Sequence, residues 1–497
     1  MTDSASIFFR TATVSGVDEP STSAPMACPL CVDLDGTLVK SDTLVDALLV
    51  MVRTHPTAFL QAPGWVRQGK AAFKREVTSR VPLDVAHLPY NKPLLAFLEQ
   101  QRGLGRTLYL ATGADAALAT RVAAYLGIFA GVLASDGTTN LTGHSKLAAF
   151  VERFGEEGYD YIGNAAVDMP LLQHAAQPMV ANPEPALLRA MQTGGITARH
   201  QFLDKAPTAR ALQRALRVHQ WTKNVLIFVP FLLAHTLRLV PVLQAAIAFV
   251  AFSLCASGTY LINDLLDVEA DRKHPQKCRR PFAAADLQGK TGILLAAALL
   301  AASFLCAAAL PVHFVGYLGL YVGMTLAYSL YFKRIVLVDV MLLSGLYTLR
   351  LLAGAAATRV VVSPWLAGFA IFLFLSLAFV KRFAELQNLR ASGQSPANGR
   401  GYLVSDTEQM RSFGTSSAYA SVVVFALYIS GLDVAGLYPH PQRLWLIAPL
   451  MILWLSRLWL LASRGELDED PVIFALTDRM SLLLGALSVC VVLLAVI

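Results

Sequence analysis

The chain is poor in charge. Asp, Glu, Lys and Arg make up 15% of its 497 residues, against about 25% in ordinary soluble domains. With 55% hydrophobic residues and a mean hydropathy of +0.52, that scarcity excludes a pair of soluble domains and calls for a membrane part. Cysteine is also scarce: there are six, and only Cys28 and Cys31 stand in C-x-x-C spacing. No second pair completes a zinc site and Cys31 falls inside an apolar strand, so these read as buried thiols of a reducing compartment. Residues 1–27 lack a cationic start leading into an apolar core. No secretory signal is expected there, and their Ser, Thr and Ala content reads as a disordered tail. Nor does the net charge of +7 gather into one basic face. Past Trp221 the basic residues stand mostly between apolar blocks, where the positive-inside rule places them, and no nucleic-acid partner is expected.

What the chain does contain is divided in two. Residues 28–204 mix charges with short apolar runs, whereas most of 205–497 lies in long apolar blocks. Runs long enough to cross about 30 Å of hydrocarbon fall near 224–241, 243–266, 290–310, 312–331, 335–356, 364–381, 416–432, 444–462 and 481–497. Loops after the even-numbered runs carry Arg272, Lys273, Lys277, Arg279, Arg280, Lys333, Arg334, Lys381, Arg382, Arg390 and Arg400, and the opposite loops little beyond Arg238, Arg359 and Arg443. This asymmetry predicts a multi-pass protein of a bacterial-type inner membrane, with the N-terminal half in the cytosol and the C-terminus outside.

The chemistry of the membrane half is concentrated at the end of the second run, in Asn263-Asp264-Leu265-Leu266-Asp267-Val268-Glu269-Ala270-Asp271. At about 100° per residue, Asp264, Asp267 and Asp271 fall within roughly 60° on a helix and share one face. Carboxylates cost too much to face lipid, so they belong in a polar cavity, where their hard oxygens suit Mg²⁺ shared with substrate phosphates. The following stretch, Arg272 to Pro281, sets Arg279 and Arg280 beside them, and guanidinium groups clamp phosphate oxygens.

N-D-x-x-D-x-x-x-D followed by a basic stretch and R-P resembles the UbiA superfamily of intramembrane prenyltransferases. Within it, this chain is most similar to the decaprenyl-phosphate phosphoribosyltransferases. The similarity covers roughly 205–497 and includes His219-Gln220-Trp221-Thr222-Lys223-Asn224, Tyr328-Ser329 with Lys333 and Asp339, Lys381-Arg382 with Glu385, and Gly399-Arg400-Gly401-Tyr402. It implies Asp264, Asp267 and Asp271 as metal carboxylates. It further implies Asn263, Lys223, Arg279, Arg280, Tyr328, Lys333, Asp339, Lys381 and Arg382 as substrate-binding residues. The family's second acidic motif is incomplete, because position 343 is Leu. Two outcomes are implied: phosphoribosyl transfer from phosphoribosyl diphosphate to a polyprenyl phosphate, or prenylation of an aromatic or other lipophilic acceptor. A transporter or lipid-binding scaffold is the non-enzymatic alternative. His235 and His144 are expected to be structural or exposed, and Arg464–Asp470 a solvated loop.

In the N-terminal half, an apolar strand runs into Asp33-Leu34-Asp35-Gly36-Thr37-Leu38. An aspartate at a strand's end can attack phosphorus, and a second carboxylate two residues on points the same way and can protonate the leaving oxygen. The string resembles the first motif of the haloacid dehalogenase-like hydrolases. That resemblance implies catalytic roles for Asp33, Asp35, Thr112 and Lys146, and Mg²⁺ on Asp33, Asp35 and Asp168. Asn164 stands where the family has an acid. The predicted fold is therefore multidomain: an α/β, doubly wound, Rossmann-like domain over 28–204 with a helical cap at about 41–92, then an all-α polytopic bundle of about nine transmembrane helices. The expected partners are membrane lipid, a polyprenyl lipid substrate and a diphosphate donor. The expected product of phosphoribosyl transfer carries a phosphomonoester of the kind the N-terminal site would hydrolyse.

Overall fold

The computed structural model describes residues 28–235, 238–392, 401–467 and 471–497. The expected tail at 1–27, Gly399-Arg400 and Asp468–Asp470 lie outside the described residues. The chain forms two compact units. One comprises the described residues up to Leu38 with Asn91–Ser135 and Thr139–Leu203; the other comprises Val39–Tyr90, Asp136–Thr138 and Asp204–Ile497. The cap therefore packs as part of the membrane unit, and the expected 28–204 domain is divided at its cap.

The first unit is built on six parallel strands: β1 Leu30–Val32, β2 Leu108–Asp115, β3 Gly131–Ser135, β4 Asp160–Gly163, β5 Pro178–Ala181 and β6 Gln201–Phe202. Their order is β3-β2-β1-β4-β5-β6, so the chain reverses direction of growth at β1. In such sheets the crevice at the carboxyl ends beside the reversal receives the ligand. The strands read as continuous apolar runs because helices cover both faces. Cys31 is fully buried in β1, a free thiol like Cys28, and burial pushes it up to about 12.

In the second unit, seven helices of the described residues are long and apolar enough to cross a membrane: Leu239–Leu266, Gly289–Ala307, Val338–Thr358, Pro364–Ala391, Val404–Ile429, Pro441–Ser463 and Arg479–Val496. The two other expected spans take different forms. Val312–Leu330 is a 19-residue helix with Tyr321, Thr325, Tyr328 and Ser329 facing a polar cavity. The run expected at 224–241 is a tightly wound helix, Val218–Phe228, continued by Val229–Leu233. It lies close against Val338–Thr358, where a Cβ on Gly354 would come within 2.1 Å of the Ile227 carbonyl oxygen. The cap consists of short helices, Thr43–Thr54, Pro56–Phe59, Ala62–Arg67 and Lys70–Arg80.

Candidate functional site

In the α/β unit three of the expected residues, Asp33, Lys146 and Asp168, are joined in one hydrogen-bonded chain. Asp33 follows β1, and Lys146 sits in the first turn of the helix His144–Phe154. Lys146 Nζ donates to Asp33 Oδ1 at 2.8 Å and to the Tyr161 hydroxyl at 2.7 Å, and Tyr161 donates to Asp168 Oδ1 at 2.9 Å. The other Asp168 oxygen accepts from the backbone N–H groups of Asn164 and Ala165, both at 3.1 Å. Thr112 is fully buried at β2. Burial raises the Asp33 carboxyl to about 6, with Lys146 opposing and Asp168 reinforcing the shift. Tyr161, which links Lys146 to Asp168, carries no signature distinguishing it from the other apolar positions of β4, so the sequence does not single it out.

The Asn164 departure has a structural role here. Gly36 has φ +76°, and a Cβ there would come within 2.1 Å of the Asn164 side-chain nitrogen. Thr37 Oγ1 donates to Asn164 Oδ1 at 3.3 Å. A neutral side chain thus fastens the nucleophile loop to the end of β4, a contact that only glycine at position 36 permits.

In the membrane unit, the three aspartates do not lie on one uninterrupted helix. The helix Leu239–Leu266 ends at Asp267 and a second begins at Val268. The i to i+4 hydrogen bonds Asp267 N to Asn263 O and Asp271 N to Asp267 O keep the turns in phase across the break. Asp264 and Asp271 share one cation: Arg280 Nη1 lies 3.2 Å from Asp264 Oδ1 and 2.7 Å from Asp271 Oδ2. Arg217 also donates to both Asp264 oxygens, at 2.6 and 2.8 Å. Asp267 faces other cations, with Lys333 Nζ at 2.6 and 2.7 Å and Arg53 Nη1 at 3.3 Å.

Behind these pairs lies a cavity of about 590 Å³. Of the expected substrate residues, Asn263, Lys223, Arg280, Tyr328 and Lys381 line it, together with Arg217, Arg350 and Leu343. Lys333 reaches Asp267 instead, and Arg279 is exposed. Asp339 and Arg382 do not line the cavity. Both are at most 1% exposed, and they pair with each other at 2.6 Å, with Tyr402 and Glu385 completing the cluster. The substrate-contact role expected for these two becomes a structural one, because each neutralises the other inside the bundle.

The sequence reading did not pick out Arg217, Arg350 or Arg53. Arg350 is buried in the middle of Val338–Thr358. It donates to Asn224 Oδ1 at 2.9 Å, to the Tyr321 hydroxyl at 3.2 Å and to the Leu346 carbonyl, beneath the rings of Phe252, Tyr321 and Tyr347. An arginine within an apolar run was a signal for it, since such residues are costly unless they serve a cavity. The motif around Trp221 divides by role. Trp221 Nε1 donates to Ser257 and Asn224 Nδ2 to Ser253, clamping this segment to Leu239–Leu266, while His219, Gln220 and Lys223 line the cavity.

Carboxylate oxygens at both places suit a hard divalent cation, and one guanidinium nitrogen bridging Asp264 and Asp271 marks a point where both stabilise positive charge. Among the described residues, no three His, Cys, Asp or Glu side chains converge as a ready metal cluster. Protein cations hold the membrane carboxylates in their place.

The chain thus combines a parallel α/β unit, carrying the hydrogen-bonded chain from Asp33 to Asp168, with a multi-pass helical membrane unit that has an acidic helix end. The chain belongs to the UbiA prenyltransferase family, whose model matches residues 224–485. It is 36% identical over 464 residues to the uncharacterised protein y4nM of Sinorhizobium fredii, covering 92% of this chain and 89% of that one. It is likewise 36% identical over 273 residues to the nodulation protein NoeC of Azorhizobium caulinodans, covering 54% of this chain and 87% of that one. A third relative is the decaprenyl-phosphate phosphoribosyltransferase of Corynebacterium glutamicum, 36% identical over 235 residues, or 46% of this chain and 69% of that enzyme.

Proposed function

We propose that the membrane unit transfers a phosphoribosyl group from phosphoribosyl diphosphate to a polyprenyl phosphate, and that the α/β unit removes the 5-phosphate of the product. The observation that carries this reading is the charge of the cavity. Arg217, Lys223, Arg280, Arg350 and Lys381 line it, and Leu343 stands where the family's second carboxylate would fall. Cations in excess suit two phosphorylated substrates held together, a donor bearing a diphosphate and a 5-phosphate and an acceptor lipid phosphate. The similarity to a decaprenyl-phosphate phosphoribosyltransferase supports the same donor.

In the transfer step, an oxygen of the polyprenyl phosphate attacks the ribose C1, and the bond from C1 to the diphosphate oxygen breaks with its electron pair leaving on diphosphate. Asp264, Asp267 and Asp271 would hold Mg²⁺, which supplies charge neutralisation for the departing diphosphate. Arg280 and Arg217, already placed at the carboxylates, clamp diphosphate oxygens, and Lys223, Lys381 and Arg350 receive the remaining phosphates. In the second step Asp33 attacks the phosphorus and Asp35 protonates the departing ribose oxygen. Lys146 holds Asp33 in place, Thr112 binds phosphate oxygens, and water then cleaves the aspartyl-phosphate. Mg²⁺ on Asp33, Asp35 and Asp168 would offset the phosphate charge. In this reading both sites work on the cytosolic side of an inner membrane, which the charge asymmetry of the loops supports.

The test supplies phosphoribosyl diphosphate and polyprenyl phosphate to the wild-type chain and to Asp33→Asn. The expected result is a ribosylated lipid from the first and its phosphorylated precursor from the second. Release of diphosphate from a labelled prenyl diphosphate, with none from phosphoribosyl diphosphate, would move the chain to prenylation of a lipophilic acceptor.

A further inference from the structure

The cap is packed into the membrane unit by a graded set of contacts. At the centre is a buried pair, Arg272 Nη2 to Asp46 Oδ2 at 2.8 Å, with side chains 5% and 7% exposed. Ser41 donates to the same Asp46 oxygen at 2.6 Å and accepts from Arg272 at 3.2 Å. Around it lie Lys273 to Asp84 at 3.0 Å and Lys290 to Asp42 at 2.8 Å. Below it the cap helix Thr43–Thr54 comes so close to Gly289 that a Cβ there would stand 2.8 Å from Val45. Leu49 packs against the apolar cluster of Leu265, Val268 and Phe282. A buried pair with supporting hydrogen bonds and apolar packing fixes one register, which peripheral ion pairs alone do not do.

This docking brings Arg53, in the last turn of the cap helix, to Asp267 of the acidic helix end. Asp267 is already bound through both oxygens by Lys333, so Arg53 is a second cation on a satisfied carboxylate, at the longer distance of 3.3 Å. The Arg53 Nε is buried and makes no hydrogen bond. Folded proteins seldom leave a buried donor unmet, and an unmet one beside these carboxylates marks a place where an acceptor arrives. A guanidinium matches two phosphate oxygens in the fork geometry that Arg favours.

We propose that the cap is a working part of the transferase: docked on the acidic helix end, it contributes Arg53 as a further ligand for the diphosphate of the donor. The inference rests on the reading of Asp264, Asp267 and Asp271 as the diphosphate site, but not on which group that diphosphate carries.

The experiment therefore measures binding of inorganic pyrophosphate with Mg²⁺ to the detergent-solubilised full chain, by calorimetry, for wild type, Arg53→Gln and Arg53→Lys. Glutamine keeps the stem and one donor but removes the charge. The expected result is about tenfold weaker binding for Arg53→Gln, with Arg53→Lys falling between it and wild type because the charge returns without the fork, and thermal midpoints unchanged. Binding by Arg53→Gln within twofold of wild type overturns the proposal. So does equal loss in both variants accompanied by a lower thermal midpoint, because the residue would then only hold the cap. A steady-state check adds that Arg53→Gln raises the KM for the diphosphate donor and leaves that for the lipid phosphate alone. If wild type binds pyrophosphate in an Arg53-dependent way yet transfers nothing from phosphoribosyl diphosphate, the donor assignment fails and this inference stands. If wild type binds no pyrophosphate, this inference fails.

Discussion

The two acidic sites of this molecule balance charge in opposite ways. In the α/β unit Asp33 pairs with one cation, Lys146, and Tyr161 relays between Lys146 and Asp168. In the membrane unit Asp264, Asp267 and Asp271 meet Arg217, Arg280, Lys333 and Arg53, and the adjoining cavity adds Lys223, Arg350 and Lys381. A site with excess carboxylate recruits a metal first and binds phosphate through it. A site with excess cation draws anions directly and leaves the metal to manage the leaving group. On the proposed reading, the same residue, aspartate, is a nucleophile in one half and part of an electrostatic clamp in the other.

Substitution of the aspartates tests this contrast most strongly. Asp33→Asn removes the attacking atom, so phosphate release from the ribosylated lipid should fall by at least about 10³-fold, measured as inorganic phosphate over time. Lipid transfer by the same variant should continue. Asp264→Asn removes charge without removing a nucleophile, and transfer should fall by a smaller factor, about 10²–10³-fold, with phosphate release from an added phosphomonoester retained. Equal loss of both activities in either variant would break the division of labour.

The α/β site was readable because its chemistry is local. Asp33 and Asp35 stand two residues apart at a strand's end, and the strand order that sets β4 beside β1, linking Asp33 through Lys146 and Tyr161 to Asp168, is the usual outcome of alternating strands and helices. The membrane aspartates were readable for the same reason, as neighbours on successive turns. Their partners were not: Arg217, Lys333 and Arg53 are brought in by tertiary packing from three different segments. Composition likewise gave no means of seeing that the cap would pack with the membrane helices, since the contacts that dock it are ordinary surface residue types. The run expected at 224–241 differs in form because hydropathy registers apolar residues and not winding, and these residues are divided between a tightly wound segment and a short helix.

Neighbouring residues 381 and 382 sharpen the contrast between clamp and scaffold within the membrane unit. Arg382→Met strips the cation from Asp339 and Glu385 inside the bundle. Removing one partner of a buried pair costs about 3–5 kcal/mol, so the variant should lose thermal stability and yield. Lys381→Met should keep its thermal midpoint but raise the KM of a phosphorylated substrate by about tenfold, because Lys381 lines the cavity. The pair of measurements, midpoint and KM, should move in opposite residues.

The smallest effect concerns proton binding at Asp33. Burial raises this carboxyl from 3.8 to about 6, so between those values the folded chain holds a proton that the unfolded chain has released. The folded state then binds more protons than the unfolded state, and stability declines as pH rises through that window. In chelator, with no divalent ion to stabilise the carboxylate, the thermal midpoint of the α/β unit should drop from the lower to the upper end of the window. Asp33→Asn, neutral throughout, should lose that part of the drop and be the more stable protein above pH 6. Mg²⁺ should remove the difference from the other direction, by favouring the ionised form.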